Sequence, residues 1–321
     1  MSNYPPYSIT DKMLNYVSNI MKKIGEANYF ESLNRFPELR RKTRIRSIHS
    51  SLAIENNQLS LFQVEDVING KMVIGEQKDI QEVKNAYKAY EKLETINPYS
   101  ITDLKQIHKI MMLLTVEDNG VFRNHGEAVY DGDNVIFMAP PANMVDSLME
   151  QLFNWITYSK DIVNPLILSS VFHYEFLFIH PFTDGNGRMA RLWQTAILSN
   201  WDSSFKYLPI ESLIKEHQEE YYVVIYNCNK CGNSNEFIEF MLKIIEKAVI
   251  NMCNLQETTQ ETTQDKIIKL IMKNPGITQV EMAKILNLTK DGISYHIKLL
   301  RNRGIIERLG STKNGIWKII K

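Results

Sequence analysis

Asn164-Pro-Leu-Ile-Leu-Ser-Ser-Val-Phe-His-Tyr-Glu-Phe-Leu-Phe-Ile179 runs straight into His180-Pro-Phe-Thr-Asp-Gly-Asn-Gly-Arg-Met-Ala-Arg191, and this junction decides how the chain is read. In the first stretch apolar residues arrive too densely for a helix with a solvated face. Leu166 to Ile179 therefore predicts a central, buried helix, capped by Asn164 and with Pro165 at its first position. A new helical pattern starts near Asn186 and continues through Leu198. The loop between them has two glycines bracketing an asparagine. Glycine lets backbone approach a ligand closely, and the first turn of a helix offers unpaired N–H donors to an anion. Arg188 and Arg191, at i and i+3, share a helical face beside those donors. Fixed cations at a helix N-terminus suit a polyphosphate.

Asp184 is out of place in an anion site unless a divalent cation bridges it to phosphate oxygens. His180, at the start of the loop, can take up a proton near neutral pH. A general base, a metal carboxylate and a phosphate cradle together describe phosphoryl or nucleotidyl transfer to a hydroxyl. Phe182, apolar within a polar loop, is expected to anchor it in the core.

At every defined position the segment resembles the Fic motif, H-P-F-x-[D/E]-G-N-G-R-x-x-R, and the likeness extends over about Leu33 to Glu246. The resemblance implies a helical Fic core that binds ATP and moves AMP to a Ser, Thr or Tyr hydroxyl of a target protein. It implies His180 as the base, Asp184 as the Mg²⁺ ligand, and Gly185, Asn186 and Gly187 as an anion hole. Arg188 and Arg191 would hold the outer phosphates. Tyr221, Tyr222 and Asn229 match positions where family members contact the nucleotide. Self-modification and homodimers are further expectations from the family.

One segment breaks the helical pattern. Ala128 to Pro141 carries two β-favouring runs around Asp131-Gly132-Asp133-Asn134, which predicts a hairpin with its turn at those four residues. A helix follows, near Asn143 to Thr157. In the family such a hairpin is a flap that pairs with an extended target segment, and Val135, Ile136, Phe137 and Met138 occupy that position. Upstream, Ser51-Leu-Ala-Ile-Glu55-Asn56 lies at the end of a helical pattern beginning near Leu39. It resembles the inhibitory motif [S/T]-x-x-x-E-[G/N], in which the glutamate pairs with the second motif arginine, here Arg191. Asn56 replaces a frequent glycine and tolerates a left-handed helix end. In some relatives the same glutamate positions a water that removes AMP, so the direction of net reaction stays open.

Composition excludes other classes. The chain of 321 residues has zero formal net charge, so no global field argues for nucleic acid or membrane partners. No basic run followed by an apolar run opens it, and no apolar run is long enough to span a bilayer, which predicts a cytoplasmic protein. Its three cysteines, Cys228, Cys231 and Cys253, are too few and uneven for a disulfide framework. Cys228 and Cys231 read as ordinary thiols on or after a helix.

Gln256 to Gln264 repeats a polar tetrapeptide and reads as a linker or domain boundary. Beyond it, Asp265 to Lys321 holds 12 Lys/Arg against 4 Asp/Glu, so the basic charge gathers there. An amphipathic helix over Lys266 to Met272 is followed by Thr278-Gln-Val-Glu281, a capping box opening a second. Thr289 caps a third, Lys290 to about Asn302, and a hairpin closes the chain. This resembles a winged helix-turn-helix. Its third helix would present Lys290, Ser294, Tyr295, Lys298 and Arg301, with Arg308, Lys313 and Lys318 on or near the wing. Such a module contacts either DNA phosphates or another protein, and Asp291 faces either the groove or the helix dipole.

The expected fold is mainly α: a helical Fic core with a β-hairpin flap, plus a small C-terminal winged-helix domain. The expected division is 1–105, an N-terminal helical region with the inhibitory helix at about 39–58; 106–253, the catalytic core; 254–264, a linker; and 265–321, the winged helix. Two alternatives to AMP transfer are a nucleotide-sensing transcriptional regulator and transfer of another phosphate-containing group. An intact His180 weighs against the sensor, which needs the cradle but no base.

Overall fold

The computed structural model describes residues 5–26, 37–131, 134–258, 263–310 and 315–320. The chain is mainly helical and divides into two compact units, Met1–Cys253 and Asn254–Lys321. In the first unit the helices are α1 (Asp11–Glu26), α2 (Pro37–Ile54), α3 (Leu61–Ile68), α4 (Gln77–Glu91) and α5 (Ile101–Met111). A hairpin follows, β1 (Ala128–Asp131) and β2 (Asn134–Met138), then α6 (Ala142–Ser159), α7 (Pro165–Ile179), α8 (Asn186–Trp201), α9 (Ile210–Glu216), α10 (Gln218–Cys231) and α11 (Asn235–Thr258). No helix among the described residues is long and apolar enough to cross a membrane.

Two helices, α7 and α8, are buried nearly all round and pack against each other at the centre of the unit. Asn164 caps α7 by accepting the Leu166 N–H at 3.0 Å, as the sequence predicts. Burying α8 on every side carries Arg188 and Arg191 inside with it, at 3% and 2% exposure. Such charges need partners, and the helices around α8 supply them. The main supplier is α2, whose buried residues mix Ile45, Ile48 and Leu52 with Ser47, Ser50 and Ser51. This small polar seam faces α8 and α9: Ser50 Oγ lies 3.0 Å from Ser212 Oγ, and Ser47 and Ser51 meet the site described below.

The hairpin pairs Ala128 with Met138 and Val129 with Phe137, and then shifts so that Tyr130 opposes Val135. That irregularity bends the ladder and is invisible to a simple alternation pattern. Asp131 and Asn134, the two ends of the expected four-residue turn, form the last paired position of the ladder. Gly132 and Asp133 lie outside the described residues.

Residues 254–258 are helical, as the end of α11, and Thr263 and Gln264 open α12 (Thr263–Lys273). Extending an existing helix costs little compared with starting one, so Gln and Glu continue α11 despite the absence of an apolar face.

In the second unit α12, α13 (Gln279–Leu286), α14 (Lys290–Asn302), β3 (Ile306–Leu309) and β4 (Ile316–Ile319) enclose Ile267, Ile271, Ile293, Ile297 and Trp317. Thr278 and Glu281 form the reciprocal capping box, and Thr289 caps α14 through the Gly292 N–H. Lys290, Asp291, Ser294, Tyr295, Lys298 and Arg301 are all exposed on α14. On the wing, Arg308 packs its guanidinium 4.7 Å from the Trp317 ring centroid, and Lys318 lies 4.0 Å from Glu307. Lys313 lies outside the described residues.

Candidate active site

The loop between α7 and α8 is built by its own residues and by two side chains with no sequence signature. The left-handed backbone of His180 (φ 51°, ψ 59°) ends α7, while its N–H still reaches Phe176 O at 3.0 Å. Arg123 collects the carbonyls freed there. Its guanidinium donates to His180 O at 2.7 Å and Ile179 O at 3.2 Å, and also to Pro140 O at 2.7 Å just beyond β2. Arg123 thereby ties the base of the hairpin to His180. Phe182 is fully buried, and His108 stacks on it with ring centroids 3.6 Å apart. Nε2 of His108 donates to Asp184 O at 2.9 Å and Nδ1 accepts the Gly120 N–H at 2.8 Å, so one neutral tautomer satisfies both contacts. Burial pushes this imidazole down to about 4, against the Asp184 carbonyl bond. Asn186 closes the loop: its Nδ2 donates to Phe182 O at 2.7 Å and its Oδ1 accepts Phe182 N–H at 3.0 Å.

A pocket of about 230 Å³ opens beside this loop. Glu55, His180, Gly187 and Arg191 line one side, and α10 contributes Tyr221, Tyr222 and Asn229 at helical spacing on the other. His180 is held by a 3.3 Å contact from Nδ1 to Leu177 O, which leaves Nε2 as the proton acceptor. Burial lowers its pKa below the usual histidine value, opposed by the Leu177 carbonyl and by Glu127. Arg191 donates through Nε to Ser51 Oγ at 3.0 Å and through Nη2 to Ser51 O at 3.0 Å and Glu55 Oε1 at 2.7 Å. Burial opposes its charge, and the Glu55 carboxylate more than restores it. Glu55 follows the last turn of α2, and Asn56 turns the chain away with φ 66°. The same carboxylate oxygen fills the space above Gly187, where any Cβ would collide with it.

The structure separates residues that the sequence groups together. At i and i+3, side chains differ by about 60° around the helix axis, and that is enough to send the two arginines to different partners. Arg188 leaves the pocket wall for Glu82 on α4, 3.0 Å away, and for Asp184, also 3.0 Å away. The Asn186 amide is spent on the loop's own backbone, so only main-chain N–H groups remain for an anion there. Tyr221 lines the pocket at 2% exposure, and its hydroxyl donates to His173 Nε2 at 2.9 Å. Tyr222 is half-exposed, and Asn229 Oδ1 accepts from Tyr174 at 2.9 Å. The backbone of β2 runs beside α10, with Met138 exposed; the side chains of Val135, Ile136 and Phe137 lie outside the described residues. Cys228, Cys231 and Cys253 are not joined in disulfides.

Asp184 is the side chain available to a divalent cation. Its carboxylate is 45% exposed, with Oδ1 accepting Gly185 N–H and Arg188. No group of three or more His, Cys, Asp or Glu side chains that could hold a metal exists among the described residues. A single carboxylate fits magnesium, which keeps several waters and takes further ligands from substrate phosphates.

A helical core with an arginine-lined loop pocket, a flanking hairpin and a winged helix define the class of this protein. The Fic/DOC family model matches residues 98–198, and a winged helix-turn-helix DNA-binding model matches residues 261–307. A Fic family protein from Desulfovibrio desulfuricans is 36% identical, with a TM-score of 0.76 over 99% of this chain and 98% of that one. The chain belongs to the Fic family. Protein adenylyltransferase fic-1 of Caenorhabditis elegans is 25% identical over 79% of this chain, and protein adenylyltransferase Fic of Culex quinquefasciatus 27% over 64%. The chain spans less than half the length of these curated relatives, 49% and 41% respectively. The structure of Caenorhabditis elegans Fic-1, 24% identical with a TM-score of 0.65, shares the fold over 78% of the chain.

Proposed function

We propose that the protein transfers AMP from ATP to a Ser, Thr or Tyr hydroxyl of a target protein, and that Glu55 holds this activity off at rest. The observation that carries the reading is the seat of the Glu55 carboxylate. It lies on Arg191 and over Gly187 in the pocket that also contains His180. An anion already fills an anion site. The names of the curated relatives support the reaction class.

In the reaction the target hydroxyl oxygen bonds to the α-phosphorus, the bond to the pyrophosphate oxygen breaks, and the hydroxyl proton passes to His180 Nε2. The N-terminus of α8 and Arg191 meet the negative charge of the phosphates. Asp184 would hold Mg²⁺, which supplies charge neutralisation at those phosphates when bound. The outer edge of β2 offers backbone groups to an extended target segment. The test is incorporation of radiolabelled AMP into the protein itself or a lysate. Glu55→Gly is expected to raise it by about ten-fold or more, the effect of freeing a charged hydrogen-bond partner. His180→Ala is expected to lower it by roughly 10²- to 10⁴-fold. No incorporation by Glu55→Gly under saturating Mg-ATP would sink the reading.

A second activity is suggested by the exposed row Lys290, Lys298 and Arg301 on α14. These cations suit phosphate contacts on duplex DNA. An electrophoretic shift that weakens steeply with salt is expected, and no shift at low salt would assign the module to protein docking.

A further inference from the structure

Helix α2 ends one residue before Glu55, so whatever closes that helix also places the carboxylate. The last four carbonyls of a helix lack partners within it, and here each finds one outside. Ser51 O accepts Arg191 Nη2 at 3.0 Å, and Leu52 O accepts the N–H groups of Glu55 at 2.9 Å and Asn57 at 3.1 Å. Ala53 O accepts Asn56 N–H at 3.3 Å and, more closely, Lys215 Nζ at 2.8 Å. Ile54 O accepts Gln218 Nε2 at 3.3 Å and the Tyr222 hydroxyl at 3.5 Å.

The last turn of α2 carries no basic residue of its own. A cation there is favourable, and Arg191 and Lys215 supply it from other helices, α8 and α9. The two are not equivalent. Arg191 is the group that the proposed reaction gives to the phosphates, whereas Lys215 does not line the pocket. Lys215 is itself held in place, because Nζ also donates to Gln218 Oε1 at 2.7 Å. With Oε1 used in this way, the Gln218 amide turns its N–H groups toward Ile54 O and toward the Tyr222 oxygen, 3.4 Å away. Side chains from α9 and α10 thus grip two successive carbonyls directly before Glu55.

Resting on the AMP-transfer reading, we infer that Lys215 is a positioning residue for the inhibition: through Ala53 O it fixes the end of α2 and so holds Glu55 on Arg191 against incoming phosphates. When a nucleotide draws Arg191 away, Ser51 O and Glu55 lose it together, and Lys215 remains on the helix end. The firmer its hold, the more readily Glu55 returns. Lys215 therefore sets how far the resting pocket is closed.

The test is Lys215→Met, which keeps most of the side-chain length and removes the donor. AMP incorporation at subsaturating Mg-ATP is measured for this substitution in the otherwise unchanged protein and in Glu55→Gly. In the first, incorporation is expected to rise about three- to ten-fold, from loss of one charged hydrogen bond at a partly exposed site. In the second it should move by less than about two-fold, since no carboxylate is left to position. No rise in the first background would overturn the inference. An equal change in both would reduce Lys215 to a fold-stabilising role and overturn it too. Gln218→Leu reads the same grip if Lys215→Met does not fold, with a rise again confined to the protein that keeps Glu55. If Glu55→Gly itself incorporates no AMP, the transfer reading fails. Calorimetric ATP affinity, expected to be higher by a similar factor in Lys215→Met, then still tests the hold on Glu55, and an unchanged affinity overturns it.

Discussion

Glu55 Oε1 and Arg191 Nη2 are 2.7 Å apart, and the same Glu55 oxygen stands over Gly187 in the first turn of α8. One carboxylate therefore engages both features that favour an anion here, a buried guanidinium and a helix N-terminus. Its backbone is not free to drift. Asn57, two residues on, donates to Glu82 Oε2 at 2.9 Å, and Glu82 Oε1 in turn receives Arg188 at 3.0 Å. The segment carrying Glu55 is pinned to the far side of the same helix whose first turn it contacts. Relief of the contact then requires movement of the Glu55 side chain or of the whole 55–58 turn, rather than any assembly of the loop.

Gly187 separates these two anion-binding features experimentally. A methyl group there would meet Glu55 Oε1 and come within 3.1 Å of Arg191 Nη1. Gly187→Ala is expected to displace Glu55, yet also to occupy the space a phosphate needs. Added to Glu55→Gly, it should weaken ATP by roughly ten-fold, the loss of about one charge-assisted contact. Calorimetric affinity for ATP checks this, and an unchanged value would mean that phosphates do not approach α8 at Gly187.

His180 sets the pH dependence. Burial lowers its pKa, so the neutral imidazole, with a lone pair on Nε2, predominates at neutral pH. Activity of Glu55→Gly should therefore be flat above the ordinary histidine value of 6.5 and fall only as pH drops through a lower value. A kcat/KM profile reads this directly. An acid limb centred above neutrality would assign the proton transfer to another group.

His108 makes a prediction about stability. Its pKa is 6.5 in the unfolded chain and about 4 when folded, so between those values the unfolded chain binds more protons. Stability from this group therefore falls as pH drops through that window, by about 1.4 kcal/mol per unit. Glu175 titrates with the opposite sign, because burial pushes it up to about 7. The comparison is best made against His108→Gln, where other groups cancel. The wild-type advantage in denaturant melts should shrink by about 2 kcal/mol between pH 6.5 and 5; a constant advantage would refute the assignment.

The sequence makes the central helices and the loop legible because their signals are local. Asn164 caps what it precedes, Phe182 is apolar where polarity is expected, and Gly185 takes φ 82° where a side chain would strain the backbone. What stays hidden is set by distant contacts. Arg123, His108 and Glu82 carry no motif, and each acts through a partner 56 or more residues away, at Ile179, Asp184 and Arg188 respectively. Arg188 and Arg191 look equivalent on one helix, and only the positions of α4 and α2 tell them apart.

Asn186 provides the last test, because its side chain acts on the loop rather than on a ligand. It is 2% exposed, and it satisfies both the N–H and the C=O of Phe182. Asn186→Ala would leave two buried backbone groups unpaired, at about 1–3 kcal/mol each. The melting temperature should drop by several degrees, and AMP transfer by Glu55→Gly should fall with it as the loop loosens. Asn186→Asp can still accept from the Phe182 N–H but sets a carboxylate oxygen against the Phe182 carbonyl. It should therefore be no more stable than Asn186→Ala. A melting temperature for Asn186→Ala equal to that of the wild type would show that Phe182 and the His108 stack hold the loop without it.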